Sequence, residues 1–280
     1  RPAIWGNMVT RIMGIPTITN ITGIGPLAES ESLAYKVARL MYRFVLKKTA
    51  VVFFQNKDDL GIFLQKKFVT SGQAAIIPGS GVDYDHFAPM PRKRNDDKFV
   101  FLFISRLIKD KGILEYVDAA EQLLETNPEI TCQVLGPYYS QNLKENIITE
   151  KQIMQWLDNG IVQYLGAADD VRPFIAEADC VVLPSYREGM SNVLLEAGSM
   201  QKPTITSDVT GCNDIVVDGQ TGLLCKVRDA GDLFLKMQQM AAFPAAQRQQ
   251  MGINARERVK THFAKKIVVD AYLSAICQVS

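Results

Sequence analysis

The sequence predicts an α/β protein built from two doubly wound, parallel-sheet (Rossmann-like) domains, the first of them incomplete. Three observations carry that expectation. From residue 99 onward, short apolar runs alternate with helical patterns. The first ninety residues repeat the alternation on a smaller scale. Between them lies Pro89–Lys98, rich in proline and charge, within which residues 91–98 read as an interdomain linker.

In chain order, a helix is expected over Ile4–Met13, a strand over Ile15–Ile21, a helix over residues 28–48, and strands over Ala50–Gln55 and Ala74–Ile77. Three strands are few for a doubly wound domain, so residues 1–90 read as a partial domain lacking its opening strands. After the linker, strands are expected at Phe99–Ile104, Ile130–Leu135, Ile161–Leu165, Cys180–Pro184, Pro203–Ser207 and Gly222–Val227. They are apolar and β-branched rather than alternating, which suits strands covered on both faces of a parallel sheet. Helices are expected over 112–126, 140–158, 170–178, 191–200 and 229–242. Residues 99–262 make the second domain. The helical stretch Ala245–Val279 breaks near His262-Phe263, and 263–280 reads as a C-terminal helix able to cross back to the first domain.

Composition excludes several classes. With 47% hydrophobic and 22% charged residues, the chain is neither disordered nor collagen-like. No apolar run approaches the roughly 18 residues that span a bilayer, and no signal peptide opens the chain. A net charge of +1 argues against a nucleic-acid binder. Five scattered cysteines (Cys132, Cys180, Cys212, Cys225 and Cys277) with no C-x-x-C spacing read as reduced, mostly buried thiols of a cytoplasmic protein. No His/Cys spacing suggests a metal centre, and Asp169-Asp170 reads as a helix-start pair rather than a cation site.

The sharpest local pattern is Pro184-Ser185-Tyr186-Arg187-Glu188-Gly189-Met190-Ser191-Asn192, running into Val193-Leu194-Leu195-Glu196. A buried strand ends, a glycine-containing loop follows, and Ser191 can cap the next helix. The free amides of that first turn face the carboxyl edge of the sheet, where anions and the ligands of open α/β sheets bind. Glu188 stands ahead of the helix and Glu196 about two turns into it, both suited to sugar hydroxyls. Arg106 and Lys111, in the loop after Phe99–Ile104, leave the same edge. Two cations there would neutralise a diphosphate. Each pattern also has a plain structural reading, as a capped helix with solvated glutamates and as a solvated turn.

The pair Arg106 and Lys111, with Glu188 and Glu196 eight residues apart, resembles the retaining glycosyltransferases of family 4, which have the two-domain GT-B fold. Pro78-Gly79-Ser80-Gly81-Val82-Asp83 and Asp218-Gly219-Gln220-Thr221-Gly222 are similar to further segments of that family. The resemblance implies the roles. Arg106 and Lys111 hold the donor's diphosphate, Glu188 faces the transferred sugar, the amides of Gly189, Met190, Ser191 and Asn192 meet the phosphates, and Glu196 binds the ribose. Val134–Pro137 with Gly136, and Tyr164–Gly166, flank the base. The implied donor is a nucleotide-diphosphate sugar, UDP-linked, and the implied acceptor a glycan, lipid-linked, of bacterial surface polysaccharide synthesis. The family needs no metal or other cofactor for the transfer. Where it carries a histidine after the strand ending at Ile21, this chain has Thr22, a weak substitute. A non-catalytic nucleotide-sugar binding fragment and a GT-B nucleotide-sugar epimerase stand as alternatives.

One further signal lies in the helix Glu29–Lys48. Leu33, Val37, Leu40, Met41 and Phe44 form a stripe expected to pack on the sheet. Lys36, Arg39, Arg43 and Lys47 flank it, within a first ninety residues that carry +4 against −3 for the rest. This either is a solvated flank or attracts the protein peripherally to an anionic membrane on its inner face.

Overall fold

A computed structural model describes residues 2–23, 33–94, 96, 98–138 and 148–279. The glycine turn from Ile24 onward, the first turn of the helix expected from residue 28, and the start of that expected from 140 lie outside the described residues. The chain forms two compact units, Arg1–Gly81 with Ala264–Ser280, and Val82–Phe263.

The first unit is a three-stranded parallel sheet, β1 (Ile18–Ile21), β2 (Val51–Phe54) and β3 (Ala74–Ile76), in that spatial order. Successive strand residues point to opposite faces, so Phe53 and Phe54 serve different cores. Phe54 packs with Val45, Leu46, Phe63 and Phe68 under α1 (Pro2–Met13), α2 (Leu33–Val45) and α3 (Lys57–Gln65). Phe53 packs with Ile77, Val268 and Ala275, its ring 4.8 Å from that of Tyr272. The last three residues lie on the terminal helix Lys265–Val279, which therefore belongs to the first unit, as the expected crossing back requires.

Two findings differ from expectation here. The helix α3 was not anticipated. Asn56, the residue after β2, caps it by accepting from the Asp59 amide at 2.8 Å. The face of α2 that packs inward is also another one. Ala38, Tyr42 and Val45 meet the core, whereas Val37, Leu40 and Phe44 are 48%, 68% and 56% exposed.

The second unit holds β4 (Phe99–Ile104), β5 (Ile130–Leu135), β6 (Gln163–Tyr164), β7 (Cys180–Leu183), β8 (Thr204–Ser207) and β9 (Gly222–Cys225), all parallel. Their spatial order is β6-β5-β4-β7-β8-β9. Winding proceeds outward from β4 in one direction, then restarts at β7 in the other, so the crevice between β4 and β7 is the topological switch point. The connecting helices are α4 (Ile113–Thr126), α5 (Glu150–Asp158), α6 (Arg172–Glu177), α7 (Asn192–Ser199) and α8 (Ala230–Ala242), followed by α9 (Ala245–His262) and the terminal helix, α10. Both faces of β4 are dry. Phe101 and Phe103 enter one core with Tyr116, and Val100, Leu102 and Ile104 the other with Ile175 and Val181. Burying each such side chain contributes roughly 1.5–3 kcal/mol. Cys132, Cys180, Cys212 and Cys225 are buried and Cys277 is exposed.

The stretch expected as a linker is tied to the second unit. The Arg92 and Arg94 guanidiniums pair with Asp179 at 3.0 and 2.5 Å. The Lys93 and Arg94 amides donate to Glu177 at 2.8 and 3.0 Å. The division between units falls earlier, at Gly81/Val82, and returns at Phe263/Ala264. Charge there serves attachment, which composition alone cannot distinguish from solvation.

Candidate active site

The carboxyl edge at the switch point is made by two segments, the loop after β4 and the loop after β7. Three glycines let neighbouring loops touch backbone to backbone. Gly112 has φ +75°, and a Cβ there would sit 2.0 Å from the Pro184 carbonyl oxygen. Gly136, at φ +150°, leaves no room between itself and the Ser105 carbonyl, 1.7 Å from its would-be Cβ. Gly211, at φ +81°, lies against the Glu188 carbonyl at 2.5 Å. The loop after β8 thus backs the segment carrying Glu188, and a larger residue at 211 would push it out of place.

Across the crevice, Lys111 Nζ donates to Glu188 Oε1 at 2.5 Å. Their side chains are 17% and 12% exposed, so the pair is largely withdrawn from water yet reachable. The geometry brings together two residues 77 positions apart that the sequence singled out separately. Arg106, on the same loop as Lys111, is exposed.

Ser191 caps α7 as expected, its side chain accepting from the Leu194 amide at 3.4 Å. Of the four amides expected to face phosphates, that of Ser191 is taken up by the Gly211 carbonyl at 3.3 Å. The amides of Met190 and Asn192 have no acceptor among the described residues. Glu196 is half-buried on α7, with no hydrogen-bond donor to its carboxylate among the described residues. Burial pushes its pKa from the ordinary 4.5 to about 7. A carboxyl group in that state is stabilised in its charged form by whatever hydroxyls a ligand brings.

At the ends of β5 and β6, the Gly136 amide donates to the Gly166 carbonyl at 2.7 Å, and the Tyr164 hydroxyl to the Gly136 carbonyl at 2.9 Å. The rings of Tyr138 and Tyr164 stand edge to face, centroids 6.0 Å apart. This gives an aromatic wall beside the glycine turn. Thr22 follows β1 in the first unit and is exposed. Asp170 is engaged by Arg172 at 2.8 Å, and that guanidinium lowers its pKa to about 2.

Sequence reasoning missed a further set of contacts. The Tyr186 hydroxyl donates to Glu115 Oε1 at 2.6 Å, and the Tyr186 amide to the Asp110 carbonyl at 2.9 Å. Burial first, and then Glu115, pushes the Tyr186 pKa up. Neither residue stands in a spacing that would announce the other. Of Gly211, the only sequence signal is a glycine in a loop following a strand.

With this geometry in hand, comparison with known proteins is informative. Residues 88–258 match the family described as glycosyl transferases group 1. The chain is 30% identical over 240 residues to the capsular polysaccharide biosynthesis glycosyltransferase CapM of Staphylococcus aureus, covering 80% of this chain and 62% of that protein. It is 29% identical over 248 residues to the UDP-Gal:alpha-D-GlcNAc-diphosphoundecaprenol alpha-1,3-galactosyltransferase of Escherichia coli, covering 82% of this chain and 61% of the relative. The chain therefore spans about three fifths of the length of these relatives. The solved structure of Anabaena HepE in complex with UDP superposes with a TM-score of 0.81 at 17% identity, over 99% of this chain and 76% of that one.

Proposed function

This chain belongs to the glycosyl transferases group 1 family, and on that premise we propose that it serves the retaining transfer of a hexose or N-acetylhexosamine from a UDP-sugar to a lipid-linked glycan acceptor in bacterial surface polysaccharide synthesis. Its fold is GT-B. The observation that carries the proposal is the Lys111–Glu188 pair, which bridges the switch point just ahead of the Ser191-capped α7. The relative from Escherichia coli is named for a UDP-linked donor and a lipid-diphosphate acceptor, which supports both substrate classes.

On donor binding, Lys111 turns from Glu188 to the diphosphate, joined by Arg106 and the Met190 and Asn192 amides. The freed Glu188 carboxylate accepts from a sugar hydroxyl, and Glu196 accepts from the ribose. The acceptor oxygen bonds to the anomeric carbon from the face the nucleotide leaves. The bond between that carbon and the phosphate oxygen breaks, and the acceptor's proton passes to the departing phosphate. Charge building on that phosphate is what the cations and amides stabilise. The test is a thermal-shift screen of UDP, GDP, ADP and their sugars. A ligand at about 100 times its Kd raises stability by about 2.7 kcal/mol. Stabilisation by UDP compounds, with UDP release dependent on added acceptor, supports the reading. Sugar interconversion without acceptor, or no response to any nucleotide, defeats it.

The acceptor's lipid and the first unit's surface point to peripheral attachment at the inner face of the membrane. No described helix is long and apolar enough to span it. On α1, Trp5, Val9 and Ile12 lie at helical spacing and are 59%, 54% and 81% exposed. The neighbouring α2 exposes Val37, Leu40 and Phe44, and Arg11 of α1 stacks 3.9 Å over the Phe44 ring. Neither helix contains an acidic residue, while Lys36, Arg43, Lys47 and Lys48 are exposed beside the apolar stripe. An apolar face rimmed by cations suits the boundary of an anionic bilayer. Binding to anionic vesicles with a blue shift of Trp5 emission, partly surviving high salt, is expected. Equal binding to neutral vesicles, or none to either, rules the surface out.

A further inference from the structure

Three hydrogen bonds form rungs between the segment Asp110–Glu115, which runs from the loop after β4 into α4, and the loop after β7, and the Ser185 hydroxyl adds a fourth contact at 3.2 Å to the same Asp110 carbonyl. The first is the Lys111–Glu188 pair at 2.5 Å. The second is the Tyr186 amide on the Asp110 carbonyl at 2.9 Å. The third is the Tyr186 hydroxyl on Glu115 Oε1 at 2.6 Å. Glu115 lies four residues beyond Lys111, past the left-handed Gly112 that opens α4, and Tyr186 two residues before Glu188, so the first and third rungs tie the same two segments.

The rungs differ in what a donor does to them. On the proposed function, the first opens, because Lys111 and Glu188 are the groups the diphosphate and sugar take. The other two involve no group that meets the ligand. The third is held firmly. The second oxygen of Glu115, Oε2, is buried with no partner, so the Tyr186 hydroxyl is its carboxylate's one donor among the described residues. From the loop after β9, Arg228 lays its guanidinium 4.5 Å from the Tyr186 ring centre. It does so with φ +58°, a left-handed conformation that side chains rarely adopt. Helix α4 and the loop after β9 thus both reach the side chain of Tyr186.

We propose that Tyr186 is a positioning residue, which through Glu115 keeps the Lys111 and Glu188 segments in register while the donor separates their ion pair. The inference rests on the nucleotide-sugar reading of this site.

A double-mutant cycle on UDP-sugar affinity, measured by calorimetry on the whole chain, tests it. If Tyr186 acts through Lys111 and Glu188, Tyr186→Phe weakens binding about tenfold in the wild-type background but less than about twofold when Lys111→Ala is already present. Glu115→Gln, which keeps a carbonyl to accept from the hydroxyl, holds affinity within about twofold of wild type. An equal Tyr186→Phe effect in both backgrounds marks a general structural role and overturns the proposal, as does an unchanged affinity in the single variant. Failure of the wild-type chain to bind UDP-sugar, or an unaltered affinity in Lys111→Ala alone, overturns the underlying reading of the site and this inference with it. An additive cycle with the Lys111 effect intact removes the positioning role alone.

Discussion

At the amino edge of the six-stranded sheet, Asp179 and Lys202 are held by backbone or by fixed partners. Asp179 accepts from Arg92, from Arg94 and from the Val100 amide, and Lys202 donates to the Ala176 and Ala178 carbonyls at 2.7 Å each. A cavity of about 320 Å³ opens there, lined by Arg92, Arg94, Lys98 and Arg248, but its arginines are already engaged. At the carboxyl edge the charges are spare or exchangeable. Among the described residues, Lys111 pairs with Glu188 alone and Glu196 lacks a donor, while Arg106 is exposed. Both edges are charged, and they differ in whether their charges answer to the protein or wait for a ligand. A charged cavity is therefore a poor guide to a site, and an under-partnered charge a better one.

The largest expected effect sharpens this contrast. Asp179→Ala removes the common partner of Arg92 and Arg94 and leaves the largely buried Arg94 with only the half-exposed Asp96 carboxylate, 2.9 Å away. It should cost roughly 2–4 kcal/mol of stability while leaving UDP affinity unchanged. Chemical denaturation and calorimetry on the same variant check both halves. A loss of affinity without a loss of stability would break the comparison.

A smaller effect concerns pH. Glu196 has its pKa raised by burial from 4.5 to about 7. The folded protein then binds more protons than the unfolded chain between those values, so stability falls as pH rises from about 4.5 to 7 and levels off above. Ligand hydroxyls favour the ionised form, so UDP should bind more tightly as pH rises through about 7, releasing a proton below it. Titrations in buffers of different ionisation heat read that proton. Glu196→Gln should abolish its share of the slope, and an unchanged pH profile in that variant would remove the ribose assignment.

Much of this was legible in the sequence for physical reasons. β4 is buried on both faces, so Phe99–Ile104 announces itself as an unbroken apolar run, and Ile130–Leu135 is still predominantly apolar although Thr131 and Gln133 are only partly buried; both match the observed bounds. Glu188, Ser191 and Lys111 stand out because a strand end, a glycine and a cap lie close together in the chain. The helix α3 escaped notice because it is nine residues long with Gly61 inside it, and its cap follows directly on a strand. In α2 two apolar stripes coexist, Val37-Leu40-Phe44 and Ala38-Tyr42-Val45, and periodicity cannot say which one the sheet covers. Tyr186–Glu115 and Gly211–Glu188 arise only when separate loops meet, which no local pattern encodes.

The central claim is that the carboxyl edge between β4 and β7 takes a nucleotide diphosphate through Arg106 and Lys111. Calorimetry of UDP on the wild-type chain, Arg106→Ala and Lys111→Ala tests it most directly. Losing one charge-assisted contact costs roughly 1.5–3 kcal/mol, so each variant should bind UDP about ten- to a hundredfold more weakly, and the exposed Arg106→Ala should do so with its melting temperature little changed. UDP binding by the wild type that both variants retain in full, or no binding by the wild type at all, would contradict the claim.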